Sequence, residues 1–178
     1  MYAGMNGIDN LNKELQSIFN PYNKKKQEVK IADLIYREDD KILQLVNMPE
    51  ENVFNGDIGI ITKIIPESIS ESKKNEIYVT YDYSCICYYP KDLIRIKHGY
   101  VMSIHKSQGS EFDTVIMPIT ISYNRMLYKK LIYTGITRAK RKLIMIGEKE
   151  AFLFGIEKED TSERKTNLKN LLINMYNF

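Results

Sequence analysis

Between residues 41 and 89 the chain breaks into four short runs rich in Ile, Val and Tyr, at 41–47, 58–65, 76–82 and 84–89. Turn residues separate them, notably Asn55-Gly56-Asp57 and the polar stretch 66–75. Four or five such β-branched and aromatic strands over about sixty residues suggest a small barrel of the SH3-like kind. Its expected bounds are residues 37–97.

The flanks follow another period. Ile8, Leu11, Leu15, Ile18 and Phe19 recur at helical spacing, Asp9 lies in the first turn and Asn20-Pro21 stops the run, which predicts one amphipathic helix. A basic, polar connection is expected at 23–30. Beyond the barrel a short apolar strand at 114–118, a helix from Asn124 to about Ala139 and a buried strand at 142–146 form the βαβ unit of a parallel sheet. Two further helical segments are expected at 149–156 and 164–176. The order α/β, barrel, α/β predicts an α/β fold: a doubly wound domain at 1–36 and 98–178, interrupted by the barrel.

Composition narrows the class. With 43% hydrophobic and 28% charged residues the chain has the make-up of a globular protein. No apolar run among the first thirty residues has the length of a signal peptide, and no stretch reaches the ~20 apolar residues of a membrane span. A cytoplasmic protein with no membrane partner is expected. Cys85 and Cys87 are too close in sequence for an easy mutual disulfide. With His98 and His105 as the only histidines, a four-ligand metal site is short of ligands, so buried, reduced sheet thiols and no metal are expected.

Charge is unevenly spread. The net value is +3, yet residues 98–147 carry eight basic side chains against two acidic ones, a local +6 that leaves −3 for the rest. That suggests a polyanion partner for one surface; a merely solvated face is the alternative.

Two segments carry chemistry. In the first, Ser103, His105, Lys106, Ser107 and Gln108 offer hydrogen-bond donors and one fixed charge, Gly109 permits close backbone approach, and Glu111 stands at the mouth of the next strand. Ligands in open α/β sheets bind at carboxyl ends of strands, so a polar, glycine-containing loop beside such a sheet is a site candidate. In the second, Tyr133-Thr-Gly-Ile-Thr-Arg-Ala-Lys140, Arg138 lies near the end of a helix, a rigid base for a guanidinium aimed at an anion.

The string Ser103-Ile-His-Lys-Ser-Gln-Gly-Ser-Glu-Phe-Asp113 resembles motif V and its neighbour in superfamily-1 helicases, and Tyr133 to Lys140 resembles their motif VI. The inserted barrel, the turn Asn55-Gly56-Asp57-Ile58-Gly59 and the opening residues 1–4 with Ile8 to Pro21 are similar to the RecD-like branch, the exodeoxyribonuclease V alpha-subunit type. That resemblance implies a second RecA-like domain. It implies Arg138 as an arginine finger on the γ-phosphate, Gly109, Glu111 and Gln108 along the nucleotide, and Ser103, His105 and Lys106 toward single-stranded DNA. ATP with Mg²⁺ is the implied nucleotide, 5′ to 3′ the implied polarity, and recombination or repair subunits are implied partners. Lys140-Arg-Lys142 reads as a solvated turn, and Tyr78, Tyr81, Tyr83, Tyr88 and Tyr89 read as barrel core and rim before base-stacking groups.

None of the nine glycines precedes a lysine, so the Gly-x-x-x-x-Gly-Lys phosphate loop is absent, and no Asp-Glu pair follows an apolar strand. The chain reads as the second motor domain without the first, inactive alone as an ATPase, with the sheet's first strand lacking and an exposed edge or rearranged N-terminus at residues 1–4. A passive single-strand binder, a protein-interaction module and a degenerate helicase relative remain as alternatives.

Overall fold

The computed structural model describes residues 7–158 and 167–176. The chain divides after Glu111 into two compact units. The fold is α/β, as the sequence predicts.

In the first unit, α1 (Ile8–Phe19) leads through a hairpin, β1 (Glu28–Ile31) and β2 (Leu34–Arg37), into β3 (Lys41–Gln44), β4 (Ile58–Ile65), β5 (Glu76–Thr80), β6 (Cys85–Tyr88) and β7 (Ile96–His98). The hairpin corrects the expected connection at 23–30. Its two-residue turn places Ala32 at φ +51, where glycine or asparagine is the usual marker. The other five strands form an antiparallel sheet in the order β6-β5-β4-β3-β7, with a 3-10 segment, Pro90–Arg95, before β7.

Alternation sets the core. Ile61, Ile77, Val79, Ile86 and Tyr88 point inward at two-residue spacing. Continued along β4, that spacing would bring Lys63 inside after Ile61. A bulge between Ile61 and Lys63 shifts the phase, and Ile64 is buried instead. Among the tyrosines, Tyr81 and Tyr88 join the core with their hydroxyls on the buried Gln44 Oε1, at 3.0 and 2.9 Å, whereas Tyr83 is 86% exposed. The thiol expectation is corrected: β6 turns Ile86 and Tyr88 inward, leaving Cys85 exposed and Cys87 half-buried, both free.

The buried face of α1 is also a correction. Its fully buried face is Asn12, Gln16 and, at the C-cap, Asn20, spaced four residues apart; Ile18 and Phe19 are 66% and 70% exposed. The amides are buried because each finds partners, as described below.

In the second unit, β8 (Phe112–Ile119) runs parallel to β9 (Ala139–Gly147), with α2 (Lys129–Ile136), α3 (Lys149–Glu157) and α4 (Leu168–Tyr176). The helix expected from Asn124 begins only at Lys129. Tyr128 is extended at φ −149, and the Lys129 amide donates to Lys158 O at the end of α3. The strand expected to be buried is largely open. Met117 and Ile119 are covered, but Ile116, Met145 and Ile146 are 62%, 45% and 57% exposed, on a sheet of only two strands among the described residues. Lys140, Arg141 and Lys142 lie within β9, not in a turn, and are exposed. Gly147 is obligatory at φ +134, because a Cβ there would fall 1.9 Å from Ile119 O. Residues 1–4 and 164–166, where an edge or rearranged terminus and the start of the last helix are expected, lie outside the described residues.

Candidate nucleotide and nucleic-acid site

The loop from Gly99 to Glu111 is anchored by residues distant in sequence. The Gly99 amide donates to Lys41 O at 2.7 Å, extending the β3–β7 pairing. Asn12 then grips Val101 with both ends of its amide: Nδ2 donates to Val101 O and Val101 N–H donates to Oδ1, each at 2.9 Å. The Tyr100 hydroxyl donates to Asp40 Oδ1 at 3.0 Å.

Asp40 is the hub. It is fully buried and also accepts from Gln16 Nε2 at 2.6 Å, Asn20 Nδ2 at 2.8 Å and the Arg37 amide at 2.7 Å, with His98 Nε2 at 3.4 Å. Burial raises its pKa, but the hydrogen bonds from His98 and Asn20 and the charge of His98 outweigh burial and hold the carboxyl below its ordinary range. The rings of Tyr36 and His98 stack on each other at 5.0 Å, and burial with the nearby Asp40 carboxylate pushes the Tyr36 phenol up to about 12. The Arg37 guanidinium is itself paired with Glu28 at 2.7 Å and donates to Asn20 O.

Past this anchor the loop closes into successive turns. Lys106 N–H donates to Ser103 O, and the amides of Ser107, Gln108 and Ser110 continue the pattern. Ser107 is buried, its Oγ donating to Ile104 O at 2.8 Å, so it shapes the loop. His105, Gln108, Gly109 and Glu111 are exposed, and Ser103 and Lys106 half-buried. Gly109 sits at φ +89 with nothing within 4 Å of a notional Cβ, so glycine is needed here for backbone conformation alone. Lys106 Nζ donates to Asn55 Oδ1 in the β3–β4 turn at 2.9 Å.

Arg138 occupies the junction of α2 and β9 in the second unit. Its Nε donates to Thr134 O at 3.0 Å and Nη2 to Thr137 Oγ1 at 3.2 Å, so the half-buried guanidinium lies over the helix C-terminus, where carbonyls lack intrahelical partners. Its carbonyl accepts from Phe112 N–H at 2.8 Å, fixing the backbone. One expectation changes. Phe112 pairs with Ala139 in parallel register, so the loop feeds the amino end of β8 and Arg138 stands at the amino end of β9, not at carboxyl ends. Asn12, Asp40 and Thr137 carry no local mark as site residues, and Asn55 reads from sequence only as a turn residue; the four-residue spacing of Asn12, Gln16 and Asn20 is the available signal.

Residues 11–81 match the family described as the ATP-dependent RecD-like DNA helicase SH3 domain, and residues 98–146 match the UvrD-like helicase C-terminal domain. The chain belongs to the RecD-like superfamily-1 helicases. It corresponds to the C-terminal region of such helicases, similar in sequence to RecD2 and RecD proteins. This RecD-like chain is 30% identical over 152 residues to the ATP-dependent RecD2 DNA helicase of Deinococcus radiodurans, covering 85% of this chain and 20% of that protein. It is 37% identical over 74 residues to the RecBCD enzyme subunit RecD of Haemophilus influenzae, covering 42% and 11%. Its fold is similar to a Pif1 helicase from Bacteroides solved with ADP-AlF3 and single-stranded DNA, with a TM-score of 0.54 at 16% identity over 96% of this chain and 43% of that one. The RecD-like chain thus spans about a fifth of the RecD2 relative's length. Among the described residues no helix is long and apolar enough to cross a membrane, and no group of three or more His, Cys, Asp or Glu is placed to hold a metal.

Proposed function

We propose that this chain is the second motor half of an ATP-dependent DNA helicase, contributing an arginine finger and part of the single-stranded DNA track. The observation that carries the reading is the setting of Arg138. It stands in the segment matching the helicase C-terminal family, on a backbone fixed to β8, with its guanidinium lying over the C-terminal end of α2. A cation so based stabilises charge on a γ-phosphate in the transition state, an effect worth about 10³–10⁵ in kcat.

In this reading Gly109, Gln108 and Glu111 lie along the nucleotide, and Ser103, His105 and Lys106 face the strand. Residues 1–36 and 98–178 form the motor domain, and residues 37–97 the inserted barrel. The phosphate loop and the Mg²⁺ ligands come from a first RecA-like domain, so this chain alone does not hydrolyse ATP. Polarity of 5′ to 3′, cytoplasmic location and work beside recombination or repair subunits follow from the resemblance and from the names of the RecD relatives.

The test is a chimera joining this chain to the N-terminal remainder of the RecD2 relative. Arg138→Ala is expected to lower DNA-stimulated ATP hydrolysis by about 10³-fold or more, with the melting curve unchanged. A second reading has its own support: an arginine on Thr134 O also serves as a helix C-cap. In that case the variant loses stability and keeps its rate.

A further inference from the structure

We infer that Asn55, in the barrel, is a positioning residue for Lys106 in the loop, and that through it the barrel helps set the affinity for single-stranded DNA. The inference rests on the reading that this loop faces the strand.

The turn holding Asn55 is built to stay still. Phe54 N–H donates to Asp57 Oδ2 at 2.8 Å, Gly56 N–H to Gln44 O at 2.9 Å, and Asn55 N–H to Asn47 Oδ1 at 2.8 Å. The opposite partner is equally fixed at its base, by the Asn12 grip on Val101 and by the turn that carries the Lys106 amide. Between two such anchors the long lysine stem has its end held by one neutral acceptor, Asn55 Oδ1, at 2.9 Å.

The choice of an amide matters chemically. An ammonium has three donors, and a carboxamide oxygen takes one without cancelling the charge. Two donors and the full positive charge remain for a phosphate. A carboxylate in the same place would neutralise the lysine; no acceptor at all would leave a long side chain with its rotamer freedom still to lose on binding. Asn55 is absent from the positive-φ residues, so alanine fits its backbone, and its own anchor to Asn47 is made by the main chain.

Binding of a fluorescein-labelled oligodeoxythymidine to the 178-residue chain, followed by anisotropy over a salt series, tests this in four proteins: wild type, Asn55→Ala, Lys106→Ala and the double variant. Lys106→Ala should weaken binding about fivefold and lower the salt slope by about 0.7, the loss of one phosphate contact on a single strand. Asn55→Ala should weaken binding about threefold with the slope retained, since the charge is still there. The double variant should match Lys106→Ala, because Asn55 acts only through the lysine. Multiplication of the two effects, or wild-type affinity in Asn55→Ala beside a weakened Lys106→Ala, overturns the inference alone. Unchanged affinity in Lys106→Ala overturns the reading of the loop as a DNA contact, and the inference with it. Thermal melting by circular dichroism, expected to be unchanged in Asn55→Ala, separates a lost position from a lost fold.

Discussion

Replacing Asp40 by alanine should destabilise the first unit by an amount that its hydrogen bonds allow to be worked out. Five donors converge on the carboxylate, but they are not equally exposed to its loss. Gln16 Nε2 keeps Ile35 O at 2.9 Å, Asn20 Nδ2 keeps Glu38 O at 2.9 Å, and His98 Nε2 keeps Ile35 O at 3.1 Å. The Arg37 amide and the Tyr100 hydroxyl lose the carboxylate that receives them, at 2.7 and 3.0 Å. A buried donor stripped of its acceptor costs about 1–3 kcal/mol, which puts Asp40→Ala at about 2–6 kcal/mol. That is a large share of a stability of about 5–15 kcal/mol. Urea unfolding followed by circular dichroism and tyrosine fluorescence measures it; the chain has no tryptophan and 13 tyrosines. Asp113→Asn is the control, since its ion pair with Arg141 has side chains 66% and 76% exposed and should matter by less than about 1 kcal/mol. The pH dependence supplies a second check. A carboxyl whose folded pKa is depressed contributes stability above its unfolded pKa and loses it as pH falls through the folded one. Wild type should therefore weaken below about pH 4, with Asp40→Asn losing less over the same range. Asp40→Ala within about 1 kcal/mol of wild type at pH 7 would refute the reasoning.

Three further outcomes are expected. Gly147→Ala should cost the second unit more than about 3 kcal/mol in denaturant titration, because strain at φ +134 is joined by a backbone clash with Ile119; near-wild-type stability would contradict the geometry. Asn12→Ala leaves the Val101 amide and carbonyl without their side-chain partner, so amide hydrogen exchange across 99–108 should accelerate while β4 and β5 stay protected. At the alkaline end the neutral Tyr36 phenol, pushed up to about 12, stabilises the fold fully below its unfolded value near 10 and loses that contribution between the two, so Tyr36→Phe should flatten unfolding profiles from pH 10 to 12.

Legibility in the sequence followed the strength of each local signal. β4 is readable to the residue, because Ile58 to Ile65 is a β-branched run bounded by Asp57 and Pro66. The β1–β2 hairpin is hidden by strands of mixed polarity and by Ala32 at a turn position that glycine would have announced. On α1 the legible signal is the apolar stripe, while the buried face is polar; three amides are buried only because Asp40, Val101, Ile35 and Glu38 wait for them, and those partners lie up to 89 positions away. The same holds for the candidate site. Residue types at 103–111 and 138 suggested a loop and a finger, but no period encodes that Lys106 meets Asn55 or that Arg138 folds over Thr134.

The pairing of β3 with β7 means that the polypeptide enters and leaves the barrel on neighbouring strands, and one hydrogen bond, Gly99 N–H to Lys41 O, marks the doorway. A stretch of chain that departs and returns on paired strands is a closed excursion. Its length matters little, since doubling a closed excursion costs only about 0.6 kcal/mol in chain entropy. Lengthening a loop between β3 and β7 should therefore cost little stability, provided the Asp40 clasp beside the doorway is kept.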